Sequence, residues 1–302
     1  LRKNEYHQTS DIHISRSMMI TLVLSTISLM IPMSLLTQKG YHSLWVLPIL
    51  LIAIFFIVNF IITNRQATHP IVHFHTLFSK KPFVGATMAI SSHLTLLTGI
   101  AGINVYIVRI LKLPFDISLH FYFFFFVGVI ITGILKMFFY SSVGAGFLGT
   151  LGSSALLYVS IHWIILGNTI NIPLLYIQGL LLGFGASMTL VSGSMATLLD
   201  GDLKEAAQRS QTMHTIRNFS AAMLIPIIAY TIKNHIQKGT QSIYAENITD
   251  KMIYLKKLQD VAIDADHQIF LLMIIFNMVM FVSSIIQMIL GKGRRITPPR
   301  ES

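Results

Sequence analysis

Residues 119–139 read LHFYFFFFVGVIITGILKMFF. The stretch holds one lysine and no acid, and from Phe121 to Val127 its side chains do not alternate between apolar and polar. That excludes a strand of a membrane β-barrel, whose lipid and lumen faces alternate residue by residue. Lipid offers no partner to a peptide N–H or C=O. A run of this length therefore crosses the ~30 Å hydrocarbon core as an α-helix, which satisfies its own backbone. Seven further runs of the same kind lie near 18–36, 44–63, 83–108, 146–166, 173–199, 213–235 and 268–290. The expected fold is an all-α polytopic membrane protein with eight transmembrane helices.

Composition agrees. Hydrophobic residues make up 53% of the 302 and charged residues 11%, against about 25% charged in a soluble domain. A mean hydropathy of +0.68 leaves no charged shell for water and no polar excess for disorder. Cysteine is absent, which removes disulfides, thiolate chemistry and Cys-ligated zinc. The net charge of +10 resides in short hydrophilic segments between apolar runs. That is how membrane proteins set their orientation, so nucleic acid is not an expected partner and the lipid bilayer is. The sequence opens on Leu1 rather than Met, and the expectation is a fragment or a numbering that starts inside a longer protein.

Eight spans place both termini on one side. The segments there (1–17, 64–82, 140–145, 200–212 and 291–302) carry Arg2, Lys3, Arg16, Arg65, Lys80, Lys81, Lys204, Arg209, Lys292, Arg294, Arg295 and Arg300. The short segments opposite carry Lys39, Arg109 and Lys112. By the positive-inside rule both termini are predicted cytoplasmic, in a cell (inner) membrane. The loop 236–267 is the sizeable extracytoplasmic feature. Ile248, Met252, Leu255 and Ala262 recur there at helical spacing and predict a short amphipathic helix. Asn247-Ile248-Thr249 also fits the glycosylation acceptor pattern. Gly144, Gly146, Gly149 and Gly152, and the Gly179/Gly183 pair, are positions where helices can approach closely in lipid.

Polar side chains inside spans are expensive and are candidate functional groups. His93 lies ten residues into its span, ~15 Å deep, either lining a cavity or satisfied by a neighbouring helix. Asn104 lies further along the same span. Lys136 and Arg217 stand near the predicted cytoplasmic ends of theirs, as interior groups or as anchors that snorkel. Gln178, Asn277 and Gln287 suit hydrogen bonds between helices, and Met188, Met213 and Met223 suit packing. The twelve acidic residues fall in loops, tails or span ends, so no carboxylate for a proton relay is expected within a span. No P-loop is present, and ATP is not an expected drive. No metal site, cofactor or enzymatic activity is expected. One histidine cluster, His69-Pro70-Ile71-Val72-His73-Phe74-His75, leaves a membrane metalloenzyme as a rival reading, and a self-contained eight-helix channel or scaffold is another.

In order and length these features resemble the C-terminal part of a major facilitator superfamily transporter of the fourteen-helix drug/proton antiporter branch, without its first six helices. A basic segment ending at Arg16 precedes a helix pair, and Gly40 to Trp45 is similar to the family's turn within that pair. Asn64 to Val72, then Leu77 to Phe83, resembles its cytoplasmic link. Gly179 to Ser187 resembles its glycine-rich helix, and Met213 to Phe219 a stretch centred on a conserved-type arginine, here Arg217. Ser220, Ala221 and Ala222 follow where that family has glycines, and Lys136 to Tyr140 lacks the aspartate of its loop motif.

The resemblance implies 1–17 as a cytoplasmic segment, 18–63 as a linker transmembrane pair, 64–82 as a cytoplasmic loop, 83–290 as a six-helix transporter half built of inverted repeats, and 291–302 as a basic tail. It implies a substrate cavity with His93, Asn104, Gln178 and Arg217, and Lys136 at the gate or interface. Its partners would be a small amphiphilic or drug-like molecule and a proton, with the coupling residues in the other half.

Overall fold

The structure, a computed structural model, describes residues 16–39, 46–67, 70–199, 205–246 and 250–291. Gly40 to Trp45, His69 and Asn247 to Thr249 lie outside the described residues. Among the described residues every regular element is helical. Seven helices are long and apolar enough to cross a membrane, which makes this a multi-pass helical membrane protein. The chain divides into two compact units, Leu1–His73 and Phe74–Ser302.

The first unit pairs α1 (Arg16–Lys39) with α2 (Val46–Gln66). The two hydroxyls of Thr21 and Thr63 meet at 3.2 Å across the pair, and Thr63 also donates to Asn59 O at 2.9 Å. A threonine in lipid thus satisfies its own backbone and a partner helix together. Pro48 stands in the first turn of α2, where no intrahelical N–H bond is lost. Asn64 ends the helix pair: its Nδ2 donates to Val72 O at 2.7 Å, and its Oδ1 accepts from Ile71 and Val72 N–H, both at 3.0 Å. One buried amide therefore folds the 70–72 strap back on the helix.

The second unit holds α3 (Phe74–Leu77), α4 (Lys80–Asn104) continued by a π-helical turn Val105–Ile110, α5 (Phe115–Trp163), α6 (Ile172–Leu199), α7 (Ala206–Ala245) and α8 (Lys251–Ile289). The 49-residue α5 is two helices in contact at Gly144, where φ is 83° and ψ 172°. Only glycine adopts that backbone without strain. The chain reverses there: the ring of Phe121 lies 6.3 Å from that of Trp163, two residues that an unbroken helix would hold ~60 Å apart. The two limbs of α5 are therefore the two spans expected near 119–139 and 146–166. The connection expected at 140–145 is helical except for that glycine.

Small residues decide which helices touch. Gly179 and Gly183 of α6 back onto Phe121 and Phe125 of the first limb of α5, and Gly128 returns the contact against Leu180 and Phe184. A Cβ on Gly183 would overlap the carbonyl of Phe125. Gly146, Gly149 and Gly152 do not form one seam. Their three-residue spacing drifts around the second limb, and they meet in turn Met288 of α8, then Met88 of α4 with Ser284 of α8, then Met188 of α6. The central core joins α4, both limbs of α5, α6 and α8 through Met88, Phe121, Leu156, Trp163, Leu182 and Phe270.

The segment 236–267 carries no separate short helix. Its two flanking helices run through it as a hairpin, α7 to Ala245 and α8 from Lys251. Gly239 seats against Val261, Tyr244 packs on Tyr254 at 6.0 Å, and Lys257 pairs with Glu246. Asp250 caps α8 by accepting from Met252 N–H at 2.7 Å and Ile253 N–H at 3.3 Å. The apolar positions at 252, 255 and 262 belong to this longer helix.

The close seam gives a direct test. Gly183→Val should destabilise the detergent-solubilised protein by about 1–3 kcal/mol, the usual effect of overpacking, seen as a lower melting temperature. Gly133→Val, at a position with nothing within 4 Å, should leave melting unchanged.

Candidate functional site

Interhelical bonds set the heights of the polar side chains. Ser92 of α4 meets Thr189 Oγ1 at 2.6 Å and donates to Ala186 O at 3.1 Å, which fixes the turn carrying His93 level with residues 186–189 of α6. Lys136, on the first limb of α5, donates from Nζ to Ser187 O at 2.7 Å. It is therefore held against the interior of α6 rather than extended to the interface. Arg217 of α7 lies close enough to His93 for their charges to interact, and His214 stands one turn before it and interacts with it too. Lys136 and His93 thus flank the same stretch of α6 from α5 and α4, and Arg217 approaches His93 from α7, so the three occupy one layer.

Arg217 is half-buried, and its Nε has no hydrogen-bond partner among the described residues. It stands farther along its helix than the sequence suggests, because α7 begins at Ala206 and not near 213. At 1.5 Å per residue the guanidinium-bearing Cα is ~16 Å into the helix. Two ion pairs occur among the described residues, Arg209–Glu205 and Lys257–Glu246, and neither reaches this layer. A basic layer without acids in a membrane helix bundle is suited to an anionic group supplied from outside the unit.

Asn104 and Gln178 belong to other heights. Asn104 is eleven residues beyond His93 on the same helix, ~16 Å away, and reaches the phenol of Tyr122. Gln178 is as far from Thr189 along α6. It is buried, and its Oε1 accepts from Trp163 Nε1 at 2.8 Å, which locks α6 to the second limb of α5. Asn277 of α8 similarly donates to Leu156 O at 3.2 Å and Ser160 Oγ at 3.0 Å. Met188 and Met213 are fully buried packing residues.

Two buried charges went unread in the sequence. Arg209 is 1% exposed; its Nε and Nη2 donate to Thr197 O at 3.0 Å and Leu198 O at 2.9 Å. It closes the carbonyl end of α6, where a cation is favoured. Asp266 corrects the expectation that no carboxylate enters the bundle. Because α8 starts at Lys251 and not at 268, Asp266 stands four turns inside it and is 1% exposed. A signal was available: Ile263, Asp266, Phe270, Met273 and Asn277 recur at helical spacing, so the aspartate shares the apolar face. Of the histidine cluster, His73 and His75 are described; among the described residues no group of three or more His, Asp or Glu could hold a metal ion.

No protein-family profile matches the chain, and no curated protein matches it. The class that the fold defines is accordingly the multi-pass helical membrane protein.

Arg209 offers a stability test. Arg209→Ala should uncap the last carbonyls of α6 and lower stability by about 1.5–3 kcal/mol, the worth of hydrogen bonds to a charged donor. Melting in detergent would show it, and Arg209→Lys, which loses the two-pronged geometry, should fall between.

Proposed function

We propose that the chain is the C-terminal portion of a secondary active transporter of the major facilitator type, exporting small amphiphilic or drug-like compounds across the cell membrane. Residues 74–302 supply one rocking half. The opposing half would face the layer of Lys136, His93 and Arg217. Alternating access exposes that layer to each side in turn, and the proton gradient drives the cycle without covalent chemistry. No cofactor enters.

The observation that carries this reading is the basic layer. Within this layer the guanidinium of Arg217 is the fixed charge, and an embedded guanidinium without an acid is costly unless it lines a water-filled cavity or meets a partner's anion. Arg217 is the central group: its guanidinium suits a carboxylate from the opposing half or from the substrate, held in a planar, two-pronged contact. Support also comes from the order of the helices, which matches the helix pair plus six-pass half that the family resemblance implies.

The experiment is flux through proteoliposomes containing the full-length protein under an imposed pH gradient, with a panel of amphiphilic compounds. Arg217→Ala should lower flux about tenfold or more, the equivalent of one charge-assisted contact, while the amount of protein in the membrane stays the same. Unchanged flux would remove Arg217 from the site. No gradient-driven flux of any compound by the parent protein would overturn the transport reading.

A further inference from the structure

Neither oxygen of Asp266 has a hydrogen-bond partner among the described residues, although the side chain is 1% exposed. Asp266 shares its face of α8 with Ile263 and Phe270, members of a buried apolar cluster that also takes in Ile107 from the π-helical end of α4, Trp163 at the end of α5 and Leu166 just beyond it. An ionised carboxylate without donor or counter-ion is not sustained in such surroundings. It must be neutralised, and the local groups restrict how.

Tyr106 faces Asp266 from the π-helical turn, near enough for the two charges to interact. Its hydroxyl is committed to Gly167 O, to which it donates. His267, the next residue on α8, is turned away to Leu166 O at 2.7 Å. Asp260, further back on α8, accepts from Asn168 Nδ2 at 3.1 Å. From α5 the contributor is Trp163, with half-buried His162 before it in the chain. Helix α7 packs on the adjacent face of α8, through Leu224 and Ile228 against Ile269. Its Lys233 and His235 lie beyond that contact along the helix. A sodium or divalent ion needs several further oxygens, and those nearest are already engaged. A proton needs none.

The same three bonds, from Tyr106, His267 and Asp260, fasten the connection 164–171 to α4 and α8 on either side of Asp266. We propose that Asp266 is a proton-binding site, protonated while this connection is fastened and emptied when that end of the unit opens to water. The proton passes from water to a carboxylate oxygen and back, with no other bond made or broken. The site stands without the transport reading; its use in coupling rests on that reading.

Infrared spectroscopy of the full-length protein in lipid should show the carbonyl band of a neutral carboxyl. The band should shift in heavy water, disappear at alkaline pH and be missing in Asp266→Asn. A second measurement needs no variant: a hydrophobic carbodiimide, which reacts with protonated carboxyls, should label Asp266 at acidic pH and fail to label it at alkaline pH, as read by peptide mass. A band unaltered in Asp266→Asn, labelling absent at every pH, or a band removed by sodium at constant pH would each overturn the site. In the flux assay, Asp266→Asn should lose acceleration by the pH gradient. Loss of all flux in the parent protein with the band intact would sink the transport reading and leave the proton site standing.

Discussion

Peptide groups that cannot reach water must pair within their own segment, and this constraint shapes everything else in the molecule. It makes every apolar run a helix, and it makes any interruption dangerous. Where α5 turns back on itself, the reversal is confined to Gly144, so the non-helical backbone inside it is a single residue. Lipid tails are as apolar as leucine, so the helices gain little from hydrophobic burial against each other. Contact has to come from close approach, and the glycines of α6 and of both α5 limbs permit it. Ser92 with Thr189 and Trp163 with Gln178 then add hydrogen bonds whose lengths, 2.6 Å and 2.8 Å, fix the helices in register.

The same scarcity of partners separates charges that are bonded within the bundle from those that are not. Arg209 and Lys136 are bonded to helix carbonyls, Thr197 and Leu198 for one and Ser187 for the other. Arg209 explains itself as the cap of a helix end. Lys136 has its carbonyl in mid-helix, in the same layer as His93 and Arg217. Towards the α7–α8 hairpin, Asp266 has no hydrogen-bond partner among the described residues. The unit therefore places its basic groups beside the middle of α6 and an isolated acid nearer its hairpin end.

Much of the architecture was legible in the residues. Long apolar runs without alternation mark helices, because the other backbone that survives in hydrocarbon, a closed β-barrel, needs short alternating strands. Boundaries were less legible. The hydropathy that marks α7 and α8 fades after 235 and before 268, yet the helices continue, since Asp250 caps one and the Gly239–Val261 and Tyr244–Tyr254 contacts zip both together. Of the site residues, His93 and Arg217 came together, while Asn104 and Gln178 did not join them. Their separation depends on which turn of α4 faces which turn of α6, and that register is set by Ser92 and Thr189, residues that look unremarkable in the sequence.

The sequence alone determined that the chain lives in a bilayer as helices, and where most of those helices run, because hydrophobicity and backbone pairing are local properties of each segment. The tertiary structure decided which polar groups are satisfied. Arg209 became a cap, Gln178 a bolt between helices, and Asp266 a buried acid, because each outcome depends on atoms distant in the chain that only packing brings within reach.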